Sequence, residues 1–507
     1  MKKHFILLFL STLITVYTFA QEFNINYLVS PVFKLENGLS MHSFQCFSED
    51  GDMIVGHNFY KGGMARTIQG YELTYLDNNL NRKQNITYEK KNSIVLSAFI
   101  KKNKLYLVEA HFEIFKKDIE IVMSSASLDD FKFSETKLFT ASSKGALTKL
   151  AESALAGKGD SPISVTVSDD KNYFFINFEE SSKDATTYDF YLYNLENELI
   201  FHQSTTKNIK DSAIDFQNIY FDDNGKSAFF LLKIKNKDKK SGGKYFYEFY
   251  KVSKEGIISK TLNLGDKYIP QLKTLSLEGH PICLGIYSDE NDKKGAGLVF
   301  FKFNSTNLDI EVEKFSNFSE QYFIDKYGKD RDKETKNVYV RSIFANNENT
   351  IMLNAEEYYT KGESNFERPT YRYYKDIIST KLDNNGDFLW SRNIDKYQGS
   401  AGGDGHLSFK TFFKNGYTYL IMNNSRNQNF EKNKELILKG SLENEKCDLV
   451  VLVVAPDGSF HTKKILDAKD NPWPFLTNEK ISYFSENSIY LTGWDSKKWQ
   501  ILKLIFD

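Results

Sequence analysis

Three short stretches hold the side chains best suited to chemistry. In LDNNGDFLWSRNI, Asp383, Asn384, Asn385 and Asp387 crowd oxygen ligands together, a pattern that either holds a calcium ion or turns one β-strand back on the next. An EF-hand type loop also needs a bidentate Glu at its twelfth position, and counting from Asp383 that place is Ile394. The same position in neighbouring repeats carries SKEG and PDGS, which lack the carboxylates for calcium, so a hairpin turn is expected and no metal.

The second stretch is Glu356 to Tyr374, EEYYTKGESNFERPTYRYY, which combines Tyr358, Tyr359, Phe366, Tyr371, Tyr373 and Tyr374 with Arg368 and Arg372. Tyr and Arg join large contact area to hydrogen bonding, the usual composition of a binding hot spot. The plainer reading is that Tyr371 and Tyr373 open a strand and pack within the sheet. The third stretch is GSAGGDGH, where flexible glycines let backbone approach a ligand and Asp404 with His406 has the makings of an acid–base pair. It lacks phosphate-loop spacing and its Lys, and its plainer reading is a pliant connection.

Other chemistries find little support. His42, His57, His111, His202, His280 and His461 are scattered, with no zinc spacing. No G-x-S-x-G nucleophile elbow occurs. Ser48 to Asp52, SEDGD, matches the Asp-box of sialidases only in part. Carboxylates of a glycoside hydrolase or lyase have no linear motif and are open to any loop. Cys46, Cys283 and Cys447 are odd in number and far apart, which argues against a disulfide framework; Cys46 and Cys283 sit in apolar strand patterns as buried thiols. Lys+Arg and Asp+Glu number 66 and 67, intermixed throughout, so no nucleic-acid partner is implied. No cofactor is expected.

Residues 1–20 read as a secretory signal peptide: Lys2 and Lys3 precede an apolar run that ends in Thr18, Phe19 and Ala20. The run is short for a membrane span and no later segment reaches that length. The mature chain, 21–507, is therefore expected to be exported, periplasmic or secreted, and not membrane-spanning. A lipoprotein would need a cysteine directly after the cleavage point, and the first is Cys46.

The elements that must position these residues are strands. Aromatic residues make up 15% of the chain, Pro is scarce at 8, and short apolar alternations follow one another closely. One hairpin recurs: FSEDGDMIVG at 47, IKKNKLYLVE at 100, VSDDKNYFFI at 167, FDDNGKSAFFL at 221, LSLEGHPICLG at 275, FANNENTIML at 344, FFKNGYTYLI at 412 and YFSENSIYLT at 483. These are strands A and B. Between the copies lies a second hairpin, strands C and D, as in FYKVSKEGIISKTL and VVLVVAPDGSFHTKKI.

Four antiparallel strands per repeat make a β-propeller blade. Eight four-stranded blades are expected, or seven if two hairpins share a blade. The last repeat, WDSKKWQILKLIFD, supplies strand C and stops; Phe23 to Leu35 is free to fill its D position and close the ring. A single all-β domain results.

The A-to-B turns resemble those of TolB-like propeller repeats, and LDNNGDFLWS is similar to a quinoprotein-type blade motif. The resemblance implies blade geometry, and it lies closer to non-enzymatic envelope scaffolds than to quinoprotein dehydrogenases, whose adjacent cysteine pair is missing.

Long insertions at 57–66, 142–161, 234–244, 319–336, 356–375, 396–406 and 423–447 all fall in B-to-C or D-to-A connections, which share one face of a propeller. Lengthening a loop costs only about 0.6 kcal/mol per doubling, so stability does not select the face; binding residues gather on such loops. Within the insertions, SKGALTKLAESALAG at 143 and SEQYFIDKYG at 319 predict short helices. The sequence thus points to an exported, monomeric, non-enzymatic propeller that binds a protein or glycan through its loop-rich face, with a carbohydrate-active enzyme on the same face as the alternative.

Overall fold

The computed structural model describes residues 24–506 apart from 36–39, 62–66, 114–117, 157–160, 211–212, 223–224, 236–244, 289–293, 329–334, 347, 363–369, 402–404, 425–435, 439–446, 472, 479–482, 486 and 496–497. It is an eight-bladed β-propeller. Seven blades are continuous in sequence, spanning 40–89, 93–142, 163–207, 214–262, 272–317, 338–400 and 410–466, and each runs A-B-C-D antiparallel.

The eighth blade is shared between the two ends of the described chain. Tyr483–Ser485, Ser488–Asp495 and Lys498–Phe506 supply A, B and C, and Ile25–Val29 with Phe33–Lys34 lies antiparallel against Lys498–Phe506 as D. Ser30 locks the join: its backbone N–H donates to Ile501 O at 2.8 Å and its Oγ accepts from Ile501 N at 2.9 Å. Phe33 packs on Trp499 with ring centroids 4.6 Å apart. His57 of the first blade lies 4.8 Å from the same indole, and Gln45 Nε2 donates to Thr492 Oγ1 at 2.8 Å, so the first and eighth blades meet.

Strand A is innermost and touches its counterparts around the ring; Asn218 Nδ2 reaches Thr274 O at 3.4 Å, and Ser342 Oγ lies 3.0 Å from Thr411 Oγ1. Strand D is outermost, mostly exposed in the first and second blades and largely covered in the sixth. Between neighbouring blades the cores are aromatic, as in Phe139–Tyr191 at 4.1 Å, Phe190–Phe230 at 4.9 Å, Phe249–Phe303 at 4.6 Å and Phe412–Phe506 at 4.5 Å. Burying one such ring is worth about 1.5–3 kcal/mol, and each added interface repeats the gain without a deeper interior.

The Asp383–Asp387 segment is a hairpin turn. Asp383 Oδ1 accepts from the backbone N–H groups of Asn385 and Asp387 at 2.9 and 2.8 Å, and Gly386 takes the left-handed conformation the turn requires (φ 79°). Both short helices form. Ser143 caps Lys144–Ala156, which buries Ala146, Leu147 and Leu150; Ser319 caps Glu320–Tyr327, and Gly328 ends it at φ 66°. All three cysteines are free and buried. Among the described residues no helix is long and apolar enough to cross a membrane.

One feature of the insertions differs from the sequence reading. Much of 356–375 and 396–406 is strand, not loop: in the sixth blade B runs Ile351–Lys361, C runs Tyr371–Leu382 and D runs Phe388–Ser400. The alternating Tyr, Arg and Lys side chains there disguise a ladder as a polar loop.

Candidate functional site

The sixth blade is irregular at one level across all four of its strands. Pairing between A and B skips Arg341, between B and C it shifts from Glu356↔Ile377 to Tyr358↔Tyr374, and between C and D from Ile377↔Ile394 to Lys375↔Tyr397. The residues left out of register are Arg341, Glu357, Asp376, Asp395 and Lys396, every one charged. A bulge re-aims the side chain it carries, and three aligned bulges gather these charges into two clusters on opposite sides of the sheet.

Toward the seventh blade, Glu356 is the centre. Lys396 is ion-paired with its Oε1, Arg341 Nε donates to Oε2 at 2.8 Å, and Ser408 Oγ donates to Oε2 at 2.6 Å. Gln398 Oε1 accepts from Lys396 Nζ at 3.1 Å and from Ser408 N at 2.7 Å, while its Nε2 donates to Asn423 O at 2.9 Å. Burial pulls the Lys396 ammonium below its ordinary pKa, against the opposing pull of Glu356. The Tyr374 ring lies under Arg341 at 5.2 Å.

On the other side the helix Glu320–Tyr327 lays Asp325 and Lys326 onto the blade. Lys326 Nζ stands 2.6 Å from Asp376 Oδ2 and 3.0 Å from Glu357 Oε1. Asn393 Nδ2 links Asp376 and Asp395 at 3.4 and 3.5 Å. Arg392 holds Asp325 through Nε at 2.6 Å and reaches Gly458 O of the seventh blade through Nη1 at 2.9 Å. Burial opposes the Lys326 charge, but Tyr322, Asp376 and Glu357 outweigh it and hold its pKa above the usual lysine value. Burial raises the Glu357 carboxyl, offset in part by Lys326, and burial with the Asp376 charge raises Asp395.

Beyond the fault the sheet continues outward on the loop-rich side. Leu436–Leu438 joins it as a parallel fifth strand along Gln398–Ser400. One face of this extension turns inward: Tyr358 and Tyr374 pack at 4.8 Å, and Leu407 and Cys447 complete the cluster. The register places Tyr359, Lys361, Tyr371, Tyr373, Lys375 and Tyr397 together on the opposite face. Tyr359 and Tyr373 stack at 4.9 Å, Tyr371 and Tyr397 flank Tyr373 at 6.3 and 5.9 Å, and Lys375 Nζ sits 5.2 and 4.9 Å from the rings of Tyr359 and Tyr397. Gly399 makes room for this packing, since a Cβ there would come within 3.1 Å of the Tyr373 ring. The rings are partly exposed, Tyr371 most of all at 38%.

Of the residues singled out from sequence, Tyr359 stands on the tyrosine–lysine face, and Tyr358 and Arg372 point to the other side of the same extension. His406 is buried away from that face, and burial lowers its pKa despite hydrogen bonds involving the Phe475 and Pro474 backbone. Phe366, Arg368 and Asp404 lie outside the described residues. The sequence reading missed Lys361, Lys375 and Tyr397, and all the charges of the fault. The period-two pattern Tyr371, Tyr373, Lys375 was the available signal. Among the described residues no group of three or more His, Cys, Asp or Glu is arranged to hold a metal.

No family model and no curated relative matches the chain. Solved structures similar to it include the β-propeller domain of the Trilobed protease from Pyrococcus furiosus, 12% identical over 86% of this chain and 98% of that one, TM-score 0.38. Chaetomium thermophilum Sqt1, bound to the N-terminus of a ribosomal protein, is 8% identical over 94% and 98%, TM-score 0.41. Prolyl oligopeptidase B from Galerina marginata is 10% identical over 91% of this chain, TM-score 0.39, and the chain spans only 56% of that enzyme's length.

Proposed function

We propose that the protein is an exported, monomeric, non-catalytic propeller that captures a protein or glycan on its loop-rich side, with the tyrosine–lysine face of the sixth blade as the working surface. The observation that carries this reading is the cluster of four tyrosines and two lysines on one partly exposed sheet face, held out beyond the ring. Tyrosine offers broad amphipathic contact with little conformational entropy to lose, which suits recognition. The charges beneath are engaged with one another, so they brace the extension. Lys2, Lys3 and the apolar run to Ala20 support export.

The test is capture from envelope extract and on a glycan array, with the wild type beside a Tyr359→Ala, Tyr371→Ala, Tyr373→Ala triple variant. Loss of capture with an unchanged melting temperature supports the reading; undiminished capture refutes it.

A second reading, a carbohydrate-active enzyme, draws on Glu357 and Asp395, whose raised pKa suits general acid catalysis. It requires new reducing ends when polysaccharides are incubated with the protein, and their loss in Glu357→Gln.

A further inference from the structure

We propose that the ligand of the tyrosine–lysine face is an acidic polysaccharide, a chain of uronate-bearing pyranoses; this rests on the binding reading above and names its ligand class. The first ground is charge. Among the described residues the face carries Lys361 and Lys375 and no carboxylate beyond the fault, where Glu357 is held by Lys326 at 3.0 Å and is also drawn on by Lys375. A ligand that approaches it meets two ammonium groups amid phenol rings, which favours an anion with apolar surface of its own.

The second ground is shape. An extended peptide commonly docks by adding a strand to a sheet edge, but the D edge of this extension is already paired with Leu436–Leu438. The face is read by side chains. A pyranose suits it: the axial C–H side of the sugar rests on a ring, its hydroxyls bond to phenol O–H groups, and its carboxylate takes a charge-assisted hydrogen bond from a lysine. Tyr373 supplies the central ring, settled over Gly399, with neighbours 4.9 to 6.3 Å away on both sides. Nucleic acid shares the needed anionic and stacking chemistry, yet it asks for a basic surplus along its path, and this chain has a net charge of −1.

The experiment is affinity measurement with the purified protein against polygalacturonate, dextran, polyglutamate and an oligothymidylate. Polygalacturonate should bind and weaken with salt, and dextran should not. Tyr373→Ala and Lys375→Ala should each weaken binding about tenfold, while Lys375→Arg retains it and shows that the fold is intact. The proposal is overturned if polygalacturonate does not bind, if Lys375→Ala binds it unchanged, or if polyglutamate or the oligonucleotide binds equally well. Should a neutral glycan or a protein instead be captured, and lost in Tyr373→Ala, the binding reading stands and only the acidic ligand is refuted. If Tyr373→Ala alters no capture of any kind, both fall.

Discussion

Lys396 and Glu356 form an ion pair inside the sixth blade with 1% and 0% of their side chains accessible, and Arg341 of the innermost strand closes on the same carboxylate. The pair ties D to B across C at the level where register changes, which fixes the outward extension. Removing Lys396 leaves Glu356 with Arg341 alone and costs up to about 3–5 kcal/mol, whereas replacing both Lys396 and Glu356 with apolar groups costs less, since Arg341 is partly exposed. Lys396→Met is therefore expected to lower stability by that amount in urea unfolding, and Lys396→Met with Glu356→Leu to recover much of it. Additive losses would mean that the two do not act as a pair.

Lys326 makes a pH-dependent prediction. Glu357 and Asp395 have raised pKa values in the fold, so the native state takes up their protons before the unfolded chain does. The cost of their charge is present at neutral pH and vanishes as pH falls through the folded values toward the ordinary carboxylate range. Lys326→Met removes the cation that offsets this cost. Its destabilisation should be about 3–5 kcal/mol at neutral pH and clearly smaller in mild acid, as urea midpoints at the two pH values would report. A deficit independent of pH would rule out this role.

Closure of the ring rests on a strand brought from the other end of the described chain. Trp499→Ala removes the indole between Phe33 and His57 and should cost about 3–5 kcal/mol. Deleting residues 24–35 should do more, because Lys498–Phe506 is left as an unpaired edge prone to edge-to-edge association. Light scattering during thermal unfolding checks this; a deletion variant that stays dispersed with the wild-type melting temperature would contradict it.

Burial makes the cysteines inert. It pushes the Cys46 thiol up to about 12, and Cys283 and Cys447 are buried as well. Ellman's reagent should find no thiol in the native protein and all three in guanidinium. Rapid reaction of the native protein would place a thiol at the surface.

Most of the architecture was legible in the sequence because each blade repeats the same two hairpins, and the half-repeat ending at Phe506 left a place for the strand at Ile25–Val29. The two short helices were legible, the first through the stripe of Leu147, Leu150 and Ala151 and the second through Ser319 and Gly328, because these signals are local. The fault in the sixth blade was not. Arg341, Glu356, Asp376 and Lys396 come from four strands, and a register shift leaves no linear mark, since it exists only between partners. The strand opened by Tyr371 and Tyr373 was the plainer reading, but strand content at 358–361 was hidden for a related reason: where both sheet faces carry Tyr, Lys or Arg, apolar alternation disappears. His406 shows the converse, since a glycine-rich approach reads as an open loop while the fold buries the residue.

The working side of the ring is tested most directly by comparing ligand capture in Tyr359→Ala, Tyr373→Ala with capture in Asn384→Ala, Asp387→Ala, which alters the tight turn at the other end of the same blade. Capture should fall at least about tenfold in the first variant, as expected when hot-spot rings are truncated, and stay at the wild-type level in the second, with the melting temperature of the first unchanged. Retained capture in the tyrosine variant, or loss confined to the turn variant, would contradict the assignment.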